Sequence, residues 1–313
     1  MKKVAILAAI IFSLPLLVSN PYYLNVLAFV GLYFLVTLGL TIFIGYAGQI
    51  SLGHGAFYAL GAYGSALLGF YAGLDPWGAT LVTLLFTAFG AGVLGFFILR
   101  LQGHYLVMAT LALNLIVYFL LIEAEEITGG VSGLPGIPPF CAGSFCFQSD
   151  LSNFYLIWGI ALVIFVGVLK ALGGRLGREL KAIKASEDAA RALGLPVLRY
   201  KVGTFVFSAV LTALAGALYA HYLTFISPKT FDVFYSIEVV TMVLVGGMGN
   251  PWGAFWGALF LTPLPQILSS FDEYKDLIYG LILMSILIFY PQGITSWWEK
   301  TLKKTPSFSL FSR

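Results

Sequence analysis

Apolar residues in this chain come in long unbroken runs, at positions 4–18, 26–44, 55–74, 79–99, 105–122, 154–172, 202–226, 233–248, 252–268 and 277–290. Most of these reach or approach the roughly 20 residues a helix needs to cross a hydrocarbon core. A membrane β-barrel would instead show segments of about 10 residues that alternate apolar and polar. The runs are continuous, so the pattern predicts an all-α membrane protein with about ten transmembrane helices in a single domain, 1–313. Two polar stretches interrupt it. The first, 123–153, carries Thr128-Gly129-Gly130, Ser132-Gly133 and Pro135-Gly136-Ile137-Pro138-Pro139, a composition that makes turns. The second, 173–201, has helix formers at helical spacing.

Composition supports a bilayer as the solvent. Hydrophobic residues make up 59% and charged residues 10% of the 313, against about 45–50% and about 25% in soluble domains. A net charge of +3 gives no reason to expect a nucleic-acid partner. The placement of charge says more than its total. With ten spans and a cytoplasmic N-terminus, all of the 17 Lys and Arg residues except Lys229 and Lys275 fall inside. Asp75, Glu123, Glu125, Glu126, Asp150, Asp232, Asp272, Glu273 and Asp276 fall outside. Cytoplasmic loops carry the Lys/Arg excess, so both termini are expected to be cytoplasmic, with 123–153 external and 173–201 internal. Met1-Lys2-Lys3 ahead of a short apolar run also fits a signal peptide. No A-x-A-like cleavage site precedes Asn20-Pro21, and the segment is read as a retained span.

The internal loop reads as two short helices. Leu180 and Ile183 form an apolar stripe, with Arg178, Lys181 and Lys184 on other faces. Ser186 suits an N-cap, and Glu187 and Asp188 suit the first turn that follows. Gly194 suits the position past the helix end, and Pro196 blocks continuation.

The loop sequence Glu187-Asp188-Ala189-Ala190-Arg191-Ala192-Leu193-Gly194 resembles the acidic-Ala-Ala…Gly coupling loop of ABC importer permeases, with Asp188 in place of the usual Glu. Further stretches resemble the LivM-type permease subunits of branched-chain amino-acid importers: residues 45–57 (Gly-Tyr-Ala-Gly-Gln-Ile-Ser-Leu-Gly-His-Gly-Ala-Phe), 100–106, Thr128-Gly129-Gly130 with Gly133, and 245–253. His104 stands where that family often has proline. The likeness runs over nearly the whole chain. It implies the ten-helix, type II architecture of the vitamin B12 importer and a site in the bacterial or archaeal plasma (inner) membrane. It also implies four kinds of association: a homologous LivH-type second permease, two cytosolic ABC ATPases, an external substrate-binding protein and the lipid bilayer. ATP and Mg would bind to the ATPases, leaving this chain with no cofactor. The ATPase-coupling loop would be Glu187, Asp188, Ala189, Ala190, Leu193 and Gly194. Leucine, isoleucine and valine are the implied cargo. Relatives carrying urea, amides, other amino acids or sugars are the alternatives, with an ion-coupled secondary transporter further off.

Nothing in the sequence gathers a catalytic or metal-ligating set, and the Gly-rich stretch 45–55 lacks the Gly-Lys-Ser/Thr ending of a nucleotide-binding loop. Glycine with polar residues inside a membrane marks a broken or re-entrant segment, which must line a cavity or be buried in protein. Gln49, Ser51, His54, Asn114 and Asn250 are therefore candidates for the translocation path. The alternative is that these glycines only let helices pack closely. Cys141 and Cys146 are spaced for a small disulfide loop, or remain free thiols beside Phe140, Phe145 and Phe147.

Overall fold

The computed structural model describes residues 2–17, 20–143, 145–268, 275–289 and 293–295. The basic residues Lys300, Lys303, Lys304 and Arg313, the acidic Asp272 and Glu273, and the pair Trp297 and Trp298 lie outside the described residues. The described chain is dominated by helices: α1 Lys2–Leu17, α2 Pro21–Gly45, α3 His54–Ala72, α4 Pro76–Ile98, α5 His104–Glu123, α6 Glu125–Thr128, α7 Asp150–Gly173, α8 Arg175–Ala185, α9 Glu187–Ala192, α10 Val197–Leu223, α11 Val233–Gly246, α12 Pro251–Leu261, α13 Leu264–Ile267 and α14 Lys275–Phe289. Among the described residues, strands are limited to two short antiparallel pairs, β1 (Leu134–Pro135) with β4 (Phe225–Ile226) and β2 (Cys141–Ala142) with β3 (Phe145–Cys146).

The helices begin where local chemistry starts them. Asn20, Asp75 and Asn250 each accept a backbone N–H from the first turn and are followed by proline. Ser149 and Asp232 cap α7 and α11 in the same way. A capping side chain satisfies a donor that the helix leaves unpaired, and proline at the first position has no N–H to leave.

Among the described residues five helices, α2, α4, α5, α7 and α10, are long and apolar enough to cross a membrane. α3 is 19 residues long but carries too much glycine, tyrosine and serine to join them. The runs at 233–248 and 252–268 do not form two straight spans. They form α11 with its 14 residues and α12–α13, bent by 119° about a short break, so the pair counts as a sixth span or as a re-entrant hairpin. The bend is tight because the two arms touch through backbone. A β-carbon on Gly257 would sit 2.0 Å from the Met242 carbonyl oxygen, and one on Gly246 would sit 1.9 Å from that of Gly253.

α2 is the axis of the bundle and is buried along most of its length. Phe34 on α2 meets Trp158 and Phe165 of α7 and Phe255 of α12, and the Trp158 indole N–H donates to the Leu27 carbonyl at 2.9 Å. α10 packs on another side of α2, and α3 packs on α10, the two covering each other's small-residue faces. α4 and α5, by contrast, leave most of their surface uncovered within this chain.

Segments expected on one side of the membrane meet at one end of the bundle. Gly48–Ile50, residues from Gln102 to Val107, and Glu187 with Asp188 surround a common depression. At the other end Trp77 donates to the Cys141 carbonyl, β1 pairs with β4, and Tyr222 donates to Asp150 at 3.1 Å. His221 is buried and its Nδ1–H donates to the Pro138 carbonyl at 2.6 Å, so the 123–153 loop seats on this helix end.

Candidate functional site

α8 and α9 form as two short helices broken at Ser186. The Ser186 hydroxyl accepts from the Ala189 N–H at 3.3 Å, and Glu187 and Asp188 lie in the positive first turn of α9. α8 buries Gly177, Leu180 and Ile183. Ile183 packs with Ala190 and Val197, which fixes α9 by one face. The opposite face of α9 is bare. Asp188, Ala189, Ala192 and Leu193 are exposed, Leu193 at 79%. Gly194 follows with φ +80°, a left-handed conformation that turns the chain back toward α10. Outside the bundle, the Tyr200 hydroxyl and the Arg175 guanidinium hold the Glu179 carboxyl below its ordinary range.

Two adjacent acidic residues thus have opposite fates. Asp188 projects into the open. Glu187 turns inward, where it pairs with the ammonium of Lys201 on α10. It also accepts from the Gln49 side-chain amide at 3.3 Å and lies 3.4 Å from Arg191. Lys201 is buried, only 2% exposed. Lys184 and Lys181 reach the same neighbourhood: Lys184 donates to the Gly45 carbonyl at 2.8 Å, and the Lys181 ammonium lies 5.5 Å from the centre of the Tyr46 ring.

The stretch from Tyr46 to Gly53 is non-helical and dips back into the bundle. At its inner end a buried polar cluster gathers. Ser51, His54, Thr110, Asn114, Ser208 and Ser236 are all at most 1% exposed. His54 Nε2 and the Ser208 hydroxyl are 2.7 Å apart. The Leu52 N–H donates to the Thr110 hydroxyl at 3.1 Å, the Gly55 N–H to the Ser236 hydroxyl at 2.9 Å, and the Asn114 amide to the Asp232 carbonyl at 3.2 Å. The first two bonds satisfy backbone donors at the start of α3 that no helix would pair. Two buried groups stay without a partner, His54 Nδ1 and Asn114 Oδ1. Whichever nitrogen of His54 carries the proton, Nδ1 is unsatisfied, as a donor or as an acceptor.

Of the sequence candidates, the structure brings Ser51, His54 and Asn114 together. Gln49 stands apart from them, tied to the Glu187 end of the same segment. Asn250 caps α12, its side-chain oxygen accepting from the Trp252 N–H at 3.0 Å. Cys141 and Cys146 are directly opposed across β2–β3 and bonded to each other. Among the described residues no group of three or more His, Cys, Asp or Glu converges as a metal site would. Sequence reasoning passed over Lys201, Ser208 and Ser236. Lys201 reads as one more cation in a basic loop, and single serines in apolar helices carry no periodic signal.

Long apolar helices around a buried, non-helical polar segment, with a short exposed helix pair at one end, define a helical membrane protein with several spans. More specifically, the chain belongs to the family described as "Branched-chain amino acid transport system / permease component", whose model matches residues 22–287. It is 34% identical to the high-affinity branched-chain amino acid transport system permease protein LivM of Escherichia coli, over 87% of this chain and 69% of the relative. It is 26% identical to LivH, also a permease protein of that transport system in Escherichia coli, over 84% of this chain and 90% of the relative. PsaBC from Streptococcus pneumoniae in complex with Fab shows a weaker structural likeness, with a TM-score of 0.43 and 16% identity over 89% of this chain and 94% of that one.

Proposed function

We propose that this chain is the LivM-type permease subunit of an ATP-driven importer of branched-chain amino acids, working in a bacterial or archaeal inner membrane. In this reading 1–313 is one transmembrane domain of about ten spans with type II architecture and both ends cytoplasmic. α11 and α12 enter and leave on the external side, which keeps the parity that the charge distribution requires. A LivH-type permease supplies the other half of the path, two cytosolic ATPases bind and hydrolyse ATP with Mg, and an external binding protein delivers leucine, isoleucine or valine. This chain performs no covalent chemistry.

The observation that carries the reading is the bare face of α9. Asp188, Ala189, Ala192 and Leu193 project from a helix pair anchored by Ile183, Ala190 and Val197. Small side chains permit close approach, and one protruding leucine fits a groove. Ser51, His54 and Asn114, with Ser208 and Ser236, supply the polar part of the path at mid-depth, while Gln49 and Asn250 border its inner mouth. Bistable packing of such a bundle offers two discrete arrangements rather than a continuum.

The test is co-purification. Leu193→Glu places a charge in the apolar centre of the docking face. It is expected to abolish ATPase retention and leucine uptake while leaving the amount of chain in the membrane unchanged. Retention of the ATPases at the native level by Leu193→Glu would reject this face as the docking surface.

A further inference from the structure

We propose that Glu187 and Lys201 are positioning residues of transport, joining the docking helix to the buried His54–Ser208 contact through a closed ring of interactions. The proposal rests on α9 being the ATPase-docking helix, as argued above.

The ring is traced from atom to atom. The Glu187 carboxylate accepts from Gln49 in the middle of the non-helical stretch. That stretch leads to His54, whose Nε2 meets the Ser208 hydroxyl at 2.7 Å. Ser208 stands two helical turns beyond Lys201 on α10, on the same face, and Lys201 pairs with Glu187. One carboxylate therefore holds both elements whose far ends meet as His54 and Ser208. Any displacement of α9 must move Gln49, move Lys201 or break a bond.

The alternatives to transmission are closed off locally. The 46–53 stretch cannot slide freely at its inner end, because Leu52 and Gly55 are held by Thr110 and Ser236. At its outer end Lys184 holds the Gly45 carbonyl. Between these anchors Gln49 bonds the Phe43 and Ala47 carbonyls at 3.2 and 3.3 Å, and its one tie to α9 is Glu187. His54 Nδ1 and Asn114 Oδ1 are buried without partners in this arrangement. A buried polar atom left unpaired is costly, so the cluster is poised to exchange this arrangement for one in which those atoms are satisfied. Releasing the His54–Ser208 contact by movement of α10 against 46–53 is the change the ring makes available.

A purely structural ion pair and a positioning pair are separated by measuring coupling rather than stability. The two cysteines of the chain are bonded to each other, so Ser51→Cys introduces a single free thiol in this subunit at the buried end of the stretch. In the reconstituted importer, with both permeases, both ATPases and binding protein, Ser51→Cys is expected to change its maleimide labelling rate several-fold between ATP-bound and nucleotide-free states. Lys201→Met in the otherwise native chain is expected to leave the ATPases bound and hydrolysing and to lower uptake per ATP at least tenfold, and combined with Ser51→Cys to make that labelling independent of nucleotide. Lys201→Arg is expected to preserve all three readouts, and the exchange Glu187→Lys with Lys201→Glu to recover uptake per ATP to within about threefold of native.

Uptake per ATP within twofold of native in Lys201→Met, or labelling that still follows nucleotide, would overturn the ring. If Lys201→Met does not accumulate, the charge exchange decides: a folded, ATPase-bound exchange variant that remains uncoupled overturns it, and a recoupled one supports it. Loss of the ATPases from Lys201→Met would put Lys201 in docking and overturn the ring as well. Failure of the docking reading itself is distinct, since it appears as normal ATPase retention by Leu193→Glu.

Discussion

A β-carbon placed on Gly61 would lie 1.9 Å from the carbonyl oxygen of Ala213, so α3 and α10 touch through their backbones. The contact is reciprocal, because a β-carbon on Gly216 would meet the Tyr58 carbonyl oxygen at 2.0 Å. No rotamer change relieves a clash with backbone. Overpacking of a core costs about 1–3 kcal/mol even where side chains can shift. Gly61→Leu is therefore expected to eliminate monodisperse protein in detergent, measured by size-exclusion chromatography and thermal unfolding. Gly90→Ala on α4, where a β-carbon meets nothing within 4 Å, should leave the unfolding temperature unchanged.

Gly194 is a different case. A β-carbon there would also meet nothing within 4 Å, yet its φ is +80°. The cost of Gly194→Val is thus conformational, roughly 1–2 kcal/mol for a left-handed non-glycine residue and more for a β-branched one. The variant is expected to insert and accumulate normally while losing ATPase association and uptake. Asn, which tolerates this region, should retain most of both. Equal loss in Gly194→Asn and Gly194→Val would show that the turn geometry is not what matters.

Cys141 and Cys146 close a hairpin whose carbonyl at Cys141 also receives the Trp77 indole N–H at 2.8 Å. Neither thiol is expected to react with a membrane-impermeant maleimide until reductant is added. Labelling in untreated membranes would count against the bridge. Removing it by paired Ser substitution should loosen 139–148 and leave the helices intact, read as faster amide exchange in that loop.

The bend between α11 and α12 makes a topological prediction. A re-entrant hairpin returns the chain to the face it left, whereas one broken span carries it across. With α14 following, the hairpin places a reporter fused at the C-terminus in the cytoplasm, the side that the lysines at 300, 303 and 304 favour. Phosphatase activity from such a fusion, which needs export, would instead make α11–α12 a single broken span.

How much of this was legible beforehand varies by element. The Ser186 cap and the Gly194 turn are local chemistry, so residues next to them in sequence sufficed to place α8 and α9. The break at 246–250 was visible as Gly-Gly-Met-Gly-Asn ahead of Pro251, but its 119° angle was not. That angle is set by where Gly246, Gly253 and Gly257 meet opposing carbonyls, which is tertiary information. Lys201 shows the limit most plainly. Nothing in its neighbours separates a solvated lysine from one buried against Glu187 fourteen positions earlier, because the pairing depends on how α9 folds back on α10. Likewise Ser51, His54 and Asn114 were singled out for polarity, while Ser208 and Ser236, which complete the cluster, had no distinguishing pattern. Gln49 and Asn250 shared the same polarity and proved to sit elsewhere.

The contact between α3 and α10 also has a history in time. Gly61 leaves the ribosome long before Ala213, and at 5–20 residues per second the interval is roughly 8–30 s. During it α3, too rich in glycine and tyrosine to rank with the five strongly apolar helices, has no α10 to cover its small-residue face. The nascent chain must shelter that helix, at the insertion machinery or against α4 and α5, until its partner is synthesised. Biogenesis of this subunit should accordingly be most vulnerable to interruption between the emergence of α3 and that of α10.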